Sequence, residues 1–279
     1  GLCSNAALRP IFPCRKISKG KFHMRDLTGK VVWAIGSGTG IGASGAELLA
    51  ADGARVILSG RRREPLEEMV TRIEEAGGEA YAESLDIADG EAVAALGAAL
   101  IERFGRLDIM LNSAAINVPN REWANYEAAS WDKLIDIDVK GALYCMAAVL
   151  PQMRRQRDGL IINISSWAGR YDSAIGGVAY TAAKRAMMAL TTNVNLEDGR
   201  NGIRACAICP AEVATPLIDK RAEPVPEAVK ARMLKPIDLG ETILFVARMP
   251  ASVCVNEILI SPTWNRAYVG NDEPEELLS

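Results

Sequence analysis

From residue 30 onward, short apolar runs alternate with amphipathic stretches. The runs at 31–35, 56–58, 109–111, 160–164, 203–208 and 257–260 predict strands buried on both faces, with a weaker one near 80–84. Between them, stretches near 41–52, 64–76, 90–104, 130–153, 180–193 and 236–249 read as helices. In the fourth, Val139, Leu143, Met146, Leu150 and Met153 recur at three- and four-residue steps and predict one apolar stripe. Strand–helix alternation predicts an α/β fold, a parallel sheet of about seven strands covered by helices on both faces. Right-handed crossovers make such a sheet doubly wound, with its ligand at the carboxyl ends of the strands. Two irregular stretches, 114–129 and 211–235, follow strands on that side.

No internal repeat or Pro/Gly/Ser-rich linker divides the pattern, so residues 24–270 are expected to form one domain. Residues 1–23 hold five Lys or Arg and no acid, and lack the apolar core of a signal peptide. They read as an extension outside the fold, either a transit-like leader or a remnant of upstream sequence. Without targeting by that extension, the expected location is the cytoplasm. The 271–279 tail, with four acids in nine residues, reads as solvated. Net charge is −3, which gives no electrostatic footprint for nucleic acid, and no apolar run reaches the length of a membrane helix.

The one histidine, His23, lies outside the expected domain. A Ser-His-Asp triad or an HExxH zinc site therefore cannot be built within it. Cys206-x-x-Cys209 has the spacing of a redox or metal motif. It falls inside a predicted buried strand, where an odd separation sends the two sulfurs to opposite faces. Buried apolar cysteine is the expectation, and no metal is expected.

The chemistry concentrates elsewhere. Tyr180 and Lys184 are four residues apart, which on a helix stacks them on one face. An ammonium beside a phenol favours the phenolate and makes the tyrosine a usable acid or base. Gly36, Gly38, Thr39, Gly40, Ile41 and Gly42 follow the first strand and open a helix, the setting in which backbone N–H groups seat a pyrophosphate. At the end of the second strand an NAD site usually carries an acid for the ribose 2′-hydroxyl. This chain has none between Val56 and Arg63, and offers Arg61 instead. A guanidinium fork suits a phosphate, so the expected cofactor is NADP rather than NAD. Asp86 is placed for the adenine or for a turn. Asn112 ends the fourth strand, where it would tie neighbouring strands together.

Taken jointly, Gly36, Gly40 and Gly42, Leu85-Asp86, Asn112-Ser-Ala-Ala115, Asn163-Ile-Ser-Ser166, Tyr180, Lys184 and Pro210-Ala-Glu-Val-Ala-Thr215 resemble the short-chain dehydrogenase/reductase family. The resemblance spans about residues 26–260. It implies a Rossmann-like domain, a dimer or tetramer, and a small-molecule carbonyl or alcohol substrate. It implies Tyr180 as acid/base, Lys184 on the nicotinamide ribose, and Ser166, rather than Ser165, on the substrate oxygen. Asp86 and Ile87 would flank the adenine, Ala114 would lie along the cofactor, and Val213 and Thr215 would meet the nicotinamide end. The family's asparagine in the fourth helix, which supports the proton relay by positioning a water through its backbone carbonyl, is replaced by Asp138. The resemblance implies that Asp138 joins the catalytic set through that carbonyl, with its carboxylate either pairing with Lys184 or facing water. The expected activity is NADP-dependent interconversion of a secondary alcohol and a ketone. The other reading is a dinucleotide-binding sensor without catalysis, motivated by departures at 113–115, 138 and 211. Trp167, Arg170, Tyr171, Trp264 and Tyr268 are weaker candidates, as pocket lining or as packing.

Overall fold

The computed structural model of the chain describes residues 25–221 and 224–269. Residues 1–23, with His23, and the 271–279 tail lie outside the described residues. The strands are β1 Val31–Ile35, β2 Arg55–Gly60, β3 Glu79–Ser84, β4 Ile109–Asn112, β5 Gly159–Ile164, β6 Ile203–Pro210 and β7 Glu257–Ile260. All pair in parallel in the order β3-β2-β1-β4-β5-β6-β7. The expected doubly wound sheet is what forms. The chain winds outward from β1 to β3, then crosses back to β4 and winds the other way, so β1 and β4 flank the switch point.

The helices are α1 Gly40–Ala51, α2 Arg63–Glu75, α3 Gly90–Phe104, α4 Ala128–Ile135, α5 Ala142–Gln156, α6 Val178–Asp198, α7 Glu227–Arg232, α8 Pro236–Arg248 and α9 Arg266–Val269. One core lies beneath α1, α2 and α8, built around Leu49, Leu66, Ile73, Leu239 and Ile243. A second lies beneath α3, α5 and α6, around Leu100, Val149, Met153, Met187 and Val194. The alternating directions of side chains along each strand feed both. Val32 and Ala34 face the first core, whereas Val31, Trp33 and Ile35 face the second. Trp33 is fully buried, and its Nε1–H donates to Ser59 Oγ across the β1–β2 pair at 2.9 Å. The two strand cysteines likewise diverge. Cys206 enters the first core, while Cys209 Sγ stands 3.4 Å from Met188 Sδ on α6. Burial pushes their thiols up to about 12 and about 11, so neither is a thiolate at neutral pH.

The fourth helical stretch departs from the sequence expectation. It begins at Ala128, and a π turn over Asp136–Gly141 separates α4 from α5. The wider π turn shifts the phase of every later position. The buried face of α5 is therefore Ala142, Cys145, Met146, Val149 and Met153, while Leu143, expected in the stripe, is exposed.

At the amino ends of the central strands, Asp108 is 4 % exposed and gathers three partners. Lys30 Nζ lies 2.8 Å from Oδ1, Arg106 Nε 2.6 Å from Oδ2, and the Val31 N–H donates at 2.9 Å. Burial pushes the carboxyl up, but the hydrogen bonds from Arg106, Lys30 and Val31 outweigh it, so its pKa lies below the ordinary value of 3.8. A depressed folded-state pKa contributes stability that is present above the unfolded value and lost as pH falls through the folded one. Asp108→Asn is expected to cost about 2–3 kcal/mol at neutral pH. The deficit should shrink in denaturant titrations below about pH 4. A deficit independent of pH would show that packing, not charge, is what the residue contributes.

Candidate active site

The turn between β1 and α1 passes beneath the end of β4. Gly36 has φ +73°, and a Cβ there would stand 2.5 Å from the Ala114 backbone nitrogen. Only glycine lets the two loops approach this closely. Gly36 N–H and Ser37 N–H donate to the Ser59 carbonyl, which fastens the turn to β2. Thr39 then caps α1 in extended conformation without a side-chain bond to the helix, and the first turn carries no acidic residue. The amino terminus of α1 thus presents unpaired N–H groups and the positive end of the helix dipole, a seat suited to a pyrophosphate.

β2 delivers Arg61 and Arg62 to the same side. Among the described residues neither makes an ion pair, whereas Arg63 is spent on Glu67 one helical turn away at 2.6 Å. Asp86 closes its own turn by accepting from the Ala88 N–H at 3.1 Å while lining the cavity.

Beyond the turn, β5 ends in Ser165 and Ser166. The structure separates their tasks. Ser165 is buried and donates to the Lys184 carbonyl at 3.0 Å, locking the loop onto α6. Ser166 Oγ accepts from the Ala168 N–H at 3.2 Å, which leaves its own proton for a ligand oxygen. α6 presents Tyr180 and Lys184 one turn apart, with Lys184 Nζ 5.4 Å from the Tyr180 ring centroid. Behind them the π turn inserts Asp138. Its Oδ2 lies 3.3 Å from Lys184 Nζ, and its Oδ1 accepts from the Ile116 N–H at 2.8 Å. The two side chains are 0 % and 1 % exposed. Burial pushes Asp138 up, with Lys184 opposing. Burial pulls Lys184 down, but Asp138 and Tyr180 outweigh it and hold the ammonium above its ordinary value.

These elements line one cavity of about 710 Å³. Gly36, Gly38, Thr39, Gly40, Ile41, Arg61, Asp86, Ile87, Ala114, Ser166, Tyr180, Lys184, Val213 and Thr215 all face it. Gly42 and Asn112 do not. Gly42 packs against the Gly36 carbonyl, and Asn112 Oδ1 accepts from the following Ala114 N–H at 3.3 Å rather than tying strands together. Asp138 stands behind Lys184, out of reach of a ligand. Trp167, Arg170, Tyr171, Trp264 and Tyr268 also lie outside the cavity. Trp167 packs tilted against Tyr171 and edge-on against Tyr268, and Arg170 pairs with Glu257. The irregular stretches contribute Asn117, Arg121 and Arg221, which the sequence did not single out, and Glu212, which it quoted within the 210–215 motif without a role. The placement of those stretches after strands was the available signal.

The comparisons with known proteins agree with this arrangement. A family model described as short chain dehydrogenase matches residues 30–225. The short-chain reductase protein NovJ of Streptomyces niveus is 36 % identical over 239 residues, covering 81 % of this chain and 90 % of that protein. An uncharacterized oxidoreductase of Staphylococcus saprophyticus is 34 % identical over 241 residues, covering 86 % of this chain and all of the relative. Among solved structures, a metagenomic short-chain oxidoreductase in complex with NADP superposes with a TM-score of 0.75 at 29 % identity, over 86 % of this chain and 100 % of that one. With the motifs gathered in one cavity and a family match over most of its length, the chain belongs to the short-chain dehydrogenase/reductase family of oxidoreductases.

Proposed function

We propose that the protein is an NADP-dependent oxidoreductase that interconverts a secondary alcohol and a ketone, with Tyr180 as the acid/base. The observation that carries this reading is the convergence of Ser166, Tyr180 and Lys184 on the cavity that the glycine turn also enters. When bound, the nicotinamide dinucleotide supplies or accepts the hydride. The α1 amino terminus would hold its pyrophosphate, and Arg61, with Arg62, its 2′-phosphate. The complex of the metagenomic relative with NADP supports that choice. The Ser166 hydroxyl orients the reacting oxygen and stabilises the charge that develops on it. Tyr180 donates its proton to that oxygen in reduction and takes one back in oxidation. Lys184 keeps a positive charge beside the phenol, and Asp138 positions that charge from behind. The Ile164 carbonyl, 3.4 Å from Nζ, fixes the ammonium from another side.

Tyr180→Phe removes the hydroxyl and leaves the ring to pack. We expect kcat to fall at least about 100-fold with cofactor affinity nearly intact. Retention of most of kcat would remove Tyr180 from the proton-transfer role, and tight cofactor binding by the parent protein without turnover on any carbonyl would favour a sensor.

Arg61→Asp replaces a cation with an anion where the phosphate would sit. NADPH binding should weaken about 10- to 100-fold, with a smaller effect on NADH. Equal dissociation constants for the two cofactors in the parent protein would overturn the NADP assignment.

Asp138→Asn tests the positioning role. Lys184 has a raised pKa in the folded protein, so its cation is kept below that value and lost as pH rises through it. Without the carboxylate the cation is lost earlier, and the alkaline edge of the kcat/KM profile for carbonyl reduction should move to lower pH. Superimposable profiles would leave Asp138 as an element of helix geometry alone.

A further inference from the structure

Two cations of the cavity wall, Arg121 and Arg221, are not used by the mechanism above, and among the described residues Arg221 is paired with Glu212 whereas Arg121 has no acid partner. Arg121 follows β4 in the first irregular stretch and lines the cavity. Its backbone is docked onto the start of α6. The Val178 N–H donates to the Arg121 carbonyl at 3.1 Å, and a Cβ on Gly177 would stand 2.4 Å from Arg121 Cβ. Arg121 is thereby fixed beside the helix that carries Tyr180.

The guanidinium is held at two of its three nitrogens. Nε–H donates to the Val118 carbonyl at 2.9 Å and one Nη1–H to the Ile175 carbonyl at 2.6 Å. Of the five N–H donors of an arginine, these engage two. Among the described residues no carboxylate lies within ion-pair distance of Arg121. Two acids, Glu212 on the cavity wall and Asp138 behind it, are already matched. Glu212 is met by Arg221 at 2.8 Å and by a two-point contact from Arg266. Asp138 is matched by Lys184. Burial, and then the charge of Arg221, pull the Arg121 pKa below its ordinary value, although a guanidinium remains charged at neutral pH. Half-buried, clamped and without a counter-anion, Arg121 is oriented to receive one.

The cofactor's phosphates are poorly placed to be that anion. Their seat is the α1 amino terminus, closed over by Thr215, whose Cγ2 would stand 3.3 Å from a Cβ on Gly40. Arg121 is tied instead to the segment that leads into α6, through the Ile175 carbonyl and the Val178 N–H. We propose that the substrate is an oxo acid, or the corresponding hydroxy acid, whose carboxylate is held by Arg121 while its carbonyl lies between Ser166 and Tyr180. This proposal rests on the oxidoreductase reading and specifies its substrate class. The carboxylate is unchanged in the reaction. The new C–H bond would form with hydride supplied by the reduced nicotinamide, which would be oxidised by two electrons, while Tyr180 gives its proton to the carbonyl oxygen as the C=O π bond breaks.

The test compares 2-oxo and 4-oxo carboxylates with their methyl esters, following NADPH oxidation by the full chain. The parent protein should prefer an acid over its ester. In Arg121→Gln, which keeps a donor for the Val118 or Ile175 carbonyl but no charge, the acid-to-ester ratio of kcat/KM should fall about 10- to 100-fold. Arg121→Lys, which keeps the charge but not the fork, should retain most of the ratio. A purely structural clamp would lower acid and ester together, and that outcome overturns the proposal. So does a parent that reduces esters and neutral ketones but shows no preference for an acid, although the oxidoreductase reading would then stand. Loss of NADPH affinity in Arg121→Gln as large as the loss for the acid would place the guanidinium on the cofactor and also overturn it. A second measurement is independent of turnover. Succinate titrated calorimetrically into the complex with NADP⁺ should bind the parent and Arg121→Lys, and bind Arg121→Gln at least about tenfold more weakly. If no carbonyl is reduced, the oxidoreductase reading fails, and the succinate titration still decides whether Arg121 is an anion site. Equal succinate affinity in parent and Arg121→Gln, or no binding to the parent, overturns it.

Discussion

All seven strands point the same way, and the winding direction reverses between β1 and β4. Every functional feature depends on that constraint. A parallel strand must end in a loop on the same side as its neighbours, so the turns after β1, β2, β4, β5 and β6 meet around one crevice. The reversal leaves the turn after β1 uncovered by a crossover helix. Gly36 makes the approach close enough for the β1 and β4 loops to share a wall. The charged cluster around Asp108 sits at the other end of the same strands. Anchoring there leaves the carboxyl ends without structural ion pairs at the glycine turn.

The buried Lys184–Asp138 pair shows how a charge is kept in a dry place. A lone buried ammonium tends to lose its proton, because burial penalises the charged form. Here an anion lies 3.3 Å away and is itself fixed by the Ile116 N–H. The pair depends on a helix defect. Asp138 belongs to the π turn between α4 and α5, and that turn carries the carboxylate to α6. π bulges inside α-helices are frequent at functional sites. The same defect rephased α5 and sent Leu143 outward.

The cavity divides into two electrostatic regions. At one end Arg61 and Arg62 and the α1 amino terminus offer positive potential to phosphates. At the other, Glu212 is shared by Arg221 and Arg266, and among the described residues Arg121 has no carboxylate within ion-pair distance. Discrimination among substrates in such a site follows from which buried polar groups would otherwise be left unmatched.

The sequence by itself determined the sheet. Six apolar runs and a weaker one near 80–84 predicted seven strands, because central strands buried on both faces are nearly continuously apolar, and that signal is local; the weak run became the partly exposed edge strand β3. It also determined which short motifs matter. Tyr180 and Lys184 share a helix face by spacing alone, and the glycine turn is marked by its place between a strand and a helix. What spacing could not decide was anything requiring two distant segments to meet. That Asp138 pairs with Lys184 across 46 residues depends on a π turn that the apolar periodicity concealed. The sequence resemblance already preferred Ser166 to Ser165, but that both serines line the cavity while Ser165 donates to the Lys184 carbonyl depends on how the β5 loop lies against α6. Arg121 carried no local mark, being one arginine in an irregular stretch. Tertiary structure sets it apart by clamping it to the Val118 and Ile175 carbonyls, with no carboxylate within ion-pair distance among the described residues. Side-chain pairing is set by the packing of segments remote in sequence, whereas strand and helix follow from the order of apolar and polar residues along the chain.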